Sequence, residues 1–185
     1  MAILKKGNFE LNFGFLKVSA EVSEEDRQCA WALYTEMSTR VSVIGKSRDS
    51  ECKNFEGELL VESLNSLYAF FQEARRIMRD FPVGRLEQGK KEHLGVMISQ
   101  VMENVLRPFL EKWHMDFRYW WEHQSNPRLL PKDRQSEYPK LTEFLDDWAS
   151  VRYLMRELQK ELIAVYRLVD VGAQESASCI SGSPI

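Results

Sequence analysis

The sequence predicts an all-α fold, a four-helix up-down bundle with an N-terminal β-hairpin and a third helix kinked at Pro108. Three observations predict it. Apolar residues recur every three or four positions through four long segments, as they do on the buried face of a helix. The link between the second and third segments, Pro82 to Lys91, is short enough to force antiparallel neighbours. Ahead of them, Asn8 to Val22 alternates apolar residues, which is the strand signature. Residues 1–172 read as one helical-bundle domain with the hairpin at 8–22, and 173–185 as a flexible tail.

In the hairpin, Phe9, Leu11, Phe13 and Phe15 share one phase and Val18, Ala20 and Val22 the other, with Gly14 near the change. An isolated hairpin is marginal in water, so its phenylalanines must either dock on the helices or pair with another chain. Ser23-Glu24-Glu25-Asp26 starts the first helix, the serine as cap and the acids at the positive end of the dipole. That helix is expected to run to about Ile44, inward at Ala30, Leu33, Tyr34, Met37 and Val41, and Gly45 to Asn54 reads as a solvated loop. Phe55 to Phe81 forms the second helix, with Leu59, Leu60, Leu64, Leu67, Tyr68, Phe71, Ala74 and Met78 on its stripe; Pro82 and Gly84 end it.

The third helix is the segment around which the others are arranged. Leu94, Ile98, Val101, Met102 and Val105 lead to Pro108, and Phe109, Trp113, Phe117 and Trp120 follow at the same spacing. A proline inside a straight helix costs about 3 kcal/mol, so a bend or a new start is expected there. Gln124 to Pro139 reads as a long surface loop, its unbiased composition favouring that over a mobile lid. The fourth helix, Lys140 to about Val171, carries Leu141, Leu145, Trp148, Met155, Leu158, Leu162, Val165 and Val169 on a near-heptad seam. At 1.5 Å per residue the last two helices come to about 48 Å against about 31 and 40 Å for the first two, so they overhang. Such an overhang would expose Phe117, Tyr119, Trp120 and Trp121, as either a lid for the hairpin or a binding face for another subunit.

A net charge of -3 argues against a general nucleic-acid or membrane-surface binder, since either needs a basic field. The cysteines Cys29, Cys52 and Cys179 are far apart and odd in number, which indicates reduced thiols rather than disulfides or a zinc site. No stretch has the length of a membrane span, and the expected location is cytoplasmic. No metal or cofactor is expected. Helical di-iron proteins need inward Glu-x-x-His pairs from two helices, and here there are none; Asp146, Asp147, Glu157 and Glu161 read as the outward side of the fourth helix. Basic residues in the loops at 45–54 and 124–139 are interleaved with acids that cancel their field.

Two constellations could carry chemistry. Arg40, Arg75, Arg76 and Arg107 come from three helices, and two or three of their guanidinium groups could converge on a phosphate or carboxylate. The plainer alternative is that each pairs with an acid nearby, such as Glu36, Glu73, Asp80 or Glu111. Arg107 and His114, seven residues apart on one helix, form the second. Their arrangement resembles the Arg-x(4 to 6)-His motif of HEPN ribonucleases, helical bundles that dimerise and cut RNA without metal. That resemblance implies a phosphate-holding role for Arg107 and a proton-transfer role for His114. A proline follows Arg107 where a polar residue stands in that family. By ideal helix angle the pair lies away from the apolar stripe, on what would otherwise be a solvated face.

Leu67-Tyr68-Ala69-Phe70-Phe71 with Arg75, together with Leu106-Arg107-Pro108-Phe109-Leu110-Glu111-Lys112-Trp113-His114, is similar to a family of small bacterial helical proteins marked by an LRPFLxKWH segment. The similarity runs from the end of the hairpin to the fourth helix. It supplies no catalytic residues and implies a subunit or adaptor of a multi-component antiphage system. The function expected from the sequence is therefore a non-enzymatic interaction or sensor subunit. Phe9, Phe13, Trp113, Phe117, Trp120 and Trp121 would meet a protein partner or a second copy. The alternatives are a metal-independent ribonuclease built on Arg107 and His114, and a receptor in which Arg40, Arg75 and Arg107 hold an anionic nucleotide-like ligand.

Overall fold

A computed structural model describes residues 3–12, 22, 24–80 and 94–170. It is mostly helical, with a two-stranded antiparallel hairpin at the N-terminus. Strands β1 (Ile3–Lys6) and β2 (Phe9–Asn12) pair with Ile3 opposite Asn12 and Lys6 opposite Phe9. The hairpin thus begins earlier than the alternation suggested, and the reversal is Gly7-Asn8. Gly7 has φ +58, and a Cβ there would sit 2.8 Å from Ser150 Oγ, so both the turn and its close approach to a helix require glycine. Phe13 and the rest of the expected second strand lie outside the described residues, as does the tail at 173–185.

Helix α1 (Glu24–Ser38) stops short of Ile44, and a separate turn, α2 (Val41–Ile44), follows. Ser38 and Thr39 donate their hydroxyls back to the carbonyls of Tyr34 and Thr35, and Arg40 is extended at φ -120, which interrupts the helix. Helix α3 (Leu60–Asp80) starts five residues later than Phe55, because Gly57 at φ +78 turns the chain first. Its first amide, Leu60 N–H, donates to Gln135 Oε1, 75 residues further along the chain. Gly45 to Asn54 is a loop with most of its residues exposed, as expected, but it is pinned to the core: Cys52 is buried, and Arg156 donates to the carbonyls of Ile44, Lys46 and Asp49.

The third helical path is continuous from Leu94 to Gln124 but widens twice. Helix α4 (Leu94–Val101) passes into a π-helical stretch, Met102–Leu106, then α5 (Arg107–Tyr119), then a second π-helical stretch, Trp120–Gln124. Pro108 sits in the first turn of α5, directly after the widened turn in which Arg107 N–H reaches back to Met102 O. In a regular α-helix the proline ring would meet the carbonyl of Asn104; the widening beforehand gives it room. The surface loop at 124–139 contains a short helix, α6 (Pro131–Ser136). Helix α7 (Leu141–Tyr166) ends earlier than Val171, at Arg167 in the left-handed conformation.

Helix α7 organises the core. It packs on α1, α2, α5 and both strands, and from Asp147 to Arg152 every residue is buried. A helix buried all round is a central helix rather than one with a single inward stripe. Around it Trp113, Phe117, Phe144, Phe109 and Trp148 form one aromatic cluster, their ring centroids 5.1–6.0 Å apart in successive contacts. No helix among the described residues is long and apolar enough to cross a membrane.

Candidate functional site

The residues expected to meet a partner are mostly spent inside the molecule. Phe9, Trp113, Phe117 and Trp120 are all buried. Trp121 is half-buried, with the Arg134 guanidinium 3.9 Å from its ring centroid. The overhang inferred from helix lengths does not expose them, because Tyr138 packs edge-on against Phe117 and lies against Trp120. Only Tyr119 of that group is open. A second correction concerns Asp147, which faces inward: its carboxylate accepts from Trp113 Nε1 at 3.0 Å, Lys112 Nζ at 2.8 Å and Asn8 Nδ2 at 3.4 Å. It ties the hairpin turn to α5 and α7.

The arginines separate into two groups. Arg40 is held by Glu36 at 2.7 Å and faces Ser66, and Arg76 is held by Glu73 and Asp80. Arg75 and Arg107, by contrast, line one groove of about 780 Å³ between α3 and the α4–α5 path. Arg79 joins them there, a residue the sequence reading passed over. Neither Arg75 nor Arg79 makes an ion pair or hydrogen bond with a described residue. Arg107 is 64% exposed and bonds Glu111 through Nε at 2.7 Å; that contact and the charge of Glu103 raise its pKa. Its terminal nitrogens make no hydrogen bond to a described residue.

The walls between these charges are apolar: Phe71 and Met78 from α3, Met102 and Leu110 opposite. Tyr68 and His114 stack at one point of the groove, 4.7 Å between centroids and 24° from parallel. His114 Nε2 is buried without a hydrogen-bond partner. Burial and, secondarily, the Arg118 charge hold this imidazole below its ordinary value of 6.5. It is neutral at physiological pH. His123 stacks on Tyr119 instead, far along the helix, and His93 lies outside the described residues. Among the described residues no group of histidine, cysteine and carboxylate side chains is placed to hold a metal.

No family model, curated protein or solved structure matches the chain. The groove is therefore read from its own chemistry: cations and one stacked aromatic pair on an apolar trough, which suits a ligand that is both anionic and planar.

The depressed imidazole has a consequence for stability. The unfolded chain takes up the His114 proton more readily than the folded one, so this group's stabilisation is complete above about pH 6.5 and is lost as pH falls through the folded-state value. Replacing His114 by Phe, which keeps the stack on Tyr68, should flatten the fall in urea midpoint on the acid side of 6.5. An unchanged slope would show that the ring is freely hydrated.

Proposed function

We propose that this protein is a receptor for a small anionic ligand with a planar ring, acting as a sensing subunit rather than a catalyst. The observation that carries the reading is the presence of Arg75, Arg79 and Arg107 on one groove, two of them without an acid partner among the described residues. Arg75 and Arg79 are exposed and free to meet oxygens of a ligand, and the apolar wall beside them would exclude water from such a contact once it formed. Of the arginines expected from the sequence, Arg40 is replaced in this role by Arg79. Calorimetric titration with mono-, di- and triphosphate nucleotides and with aromatic carboxylates should find a binder, and Arg75→Ala should weaken it about tenfold, the value of a charge-assisted bond. No binding by any of them, or equal binding by the variant, would overturn the proposal.

The ribonuclease reading keeps one specific support: Arg107 and His114 line the same groove, and the imidazole is neutral and so able to take a proton. It requires a second copy of the chain. RNA cleavage in EDTA, lost in His114→Ala while the mass in solution stays dimeric, would favour it over a receptor. An assembly role would have to use residues other than the buried Phe9, Trp113, Phe117 and Trp120. The open side of α5, with Met115 and Tyr119 exposed, is the surface that remains on that helix.

A further inference from the structure

The groove has two chemically different ends, and we infer from this that its ligand is a nucleoside carrying two or three phosphates, with the ring against Tyr68 and the phosphates against Arg75 and Arg79. The inference rests on the receptor reading and makes it more specific.

Helix α3 presents Tyr68, Phe71, Arg75, Met78 and Arg79 to the groove. Their spacing of three, four, three and one keeps them on one face, and the axial rise puts Arg75 about 10 Å and Arg79 about 16 Å from Tyr68. The ring contact with His114 fixes the aromatic end. Tyr68 remains 38% exposed, so a planar group has part of its surface to lie on. Phe71 and Leu110 continue the apolar wall beyond it.

Charge increases toward the other end. Two acids line the groove, Glu111 and Glu103, and both act on Arg107: the first bonds it, and the second raises its pKa through space. The charge of Arg107 is thus largely answered within its own helical path. Arg75 and Arg79 are not so answered by any described residue, and with the Ser99 hydroxyl they supply several donors for phosphate oxygens. A ring at Tyr68 and a single phosphate on its sugar would reach Arg75 but not Arg79. A second or third phosphate spans the remaining distance. Glu103 lines the same stretch and repels phosphate, so the attraction of Arg75 and Arg79 has to outweigh it.

The test is titration of the full chain with adenosine, AMP, ADP, ATP, GTP and inorganic triphosphate. Affinity should rise about tenfold from AMP to ATP, and inorganic triphosphate should bind at least about tenfold more weakly than ATP. Tyr68→Ala should weaken ATP about tenfold and leave inorganic triphosphate unchanged, while Tyr68→Phe keeps the nucleotide affinity. Arg79→Ala should erase the difference between ATP and AMP. Melting by circular dichroism checks that each variant is folded. Equal binding of ATP and inorganic triphosphate, or of ATP and AMP, would overturn the two-ended ligand while leaving an anion receptor standing. An aromatic carboxylate that binds where no nucleotide does would have the same effect. Absence of binding by every anion overturns both.

Discussion

Replacing Glu58 by Gln is expected to destabilise the fold by about 3–5 kcal/mol, the cost of leaving a buried charge without its partner. The charge is Arg152 on α7, which is 0% exposed. Its Nη2 bonds Glu58 Oε2 at 2.6 Å, and its guanidinium carbon lies 4.1 Å from the Phe55 ring centroid and 5.2 Å from that of Trp148. Burial lowers the arginine's pKa and the glutamate beside it opposes that shift, so the carboxylate answers a charge that is costly to bury. The pair joins α7 to the turn that precedes α3, and Trp148 Nε1 donates to Ser42 O beside it. Replacing Glu58 by Gln and Arg152 by Met together should recover most of the loss, because neither side chain then carries a charge to desolvate. Urea unfolding of the two variants measures both effects. A loss below about 1 kcal/mol in the single variant would mean that water reaches the guanidinium.

Trp113→Ala should cost about 3–5 kcal/mol and leave the mass of the folded protein unchanged. The ring is buried, packs 5.3 Å from Phe144 centroid to centroid, and gives its N–H to Asp147. The alanine therefore removes core volume and a donor to a buried carboxylate at once. Trp113→Phe separates these, keeping most of the volume and losing only the hydrogen bond, for about 1–3 kcal/mol. If Trp113 instead met a second chain, the alanine variant would fold normally and scatter light as a smaller particle. Light scattering and urea unfolding on the same samples decide between the two.

The inward stripes were legible in the middles of the helices and not at their ends, where Val41 and Val169 are exposed. Leu64, Leu67, Trp148, Leu158 and Leu162 are all buried as their spacing requires. Spacing could not tell a core from a groove, however. Tyr68, Phe71 and Met78 fall on the apolar side of α3 and line the groove, while Phe70 and Ile77 beside them are fully enclosed. Asp147 and Arg152 were missed because a lone charge on a helix usually faces water, and nothing local announces a partner 34 or 94 residues away. Arg75 and Arg107 were found from their residue type and Arg79 was not. The signal for it was its place four residues after Arg75, one turn further along the same face. The Gly7-Asn8 reversal was also present in the sequence, as a two-residue hairpin turn flanked by Lys6 and Phe9.

The widened turn at Met102–Leu106 makes the count of residues matter as much as their kind. Losing one residue from it, with a return to ordinary α geometry, would leave the helix beyond facing nearly the same way, because one wide turn and one ordinary turn each bring the chain once round the axis. Phe109, Trp113 and Phe117 would stay on the core side and Arg107 and His114 on the groove side. The cost would fall on Pro108, whose ring would then meet the carbonyl one turn before it, so the extra residue is the space the proline occupies.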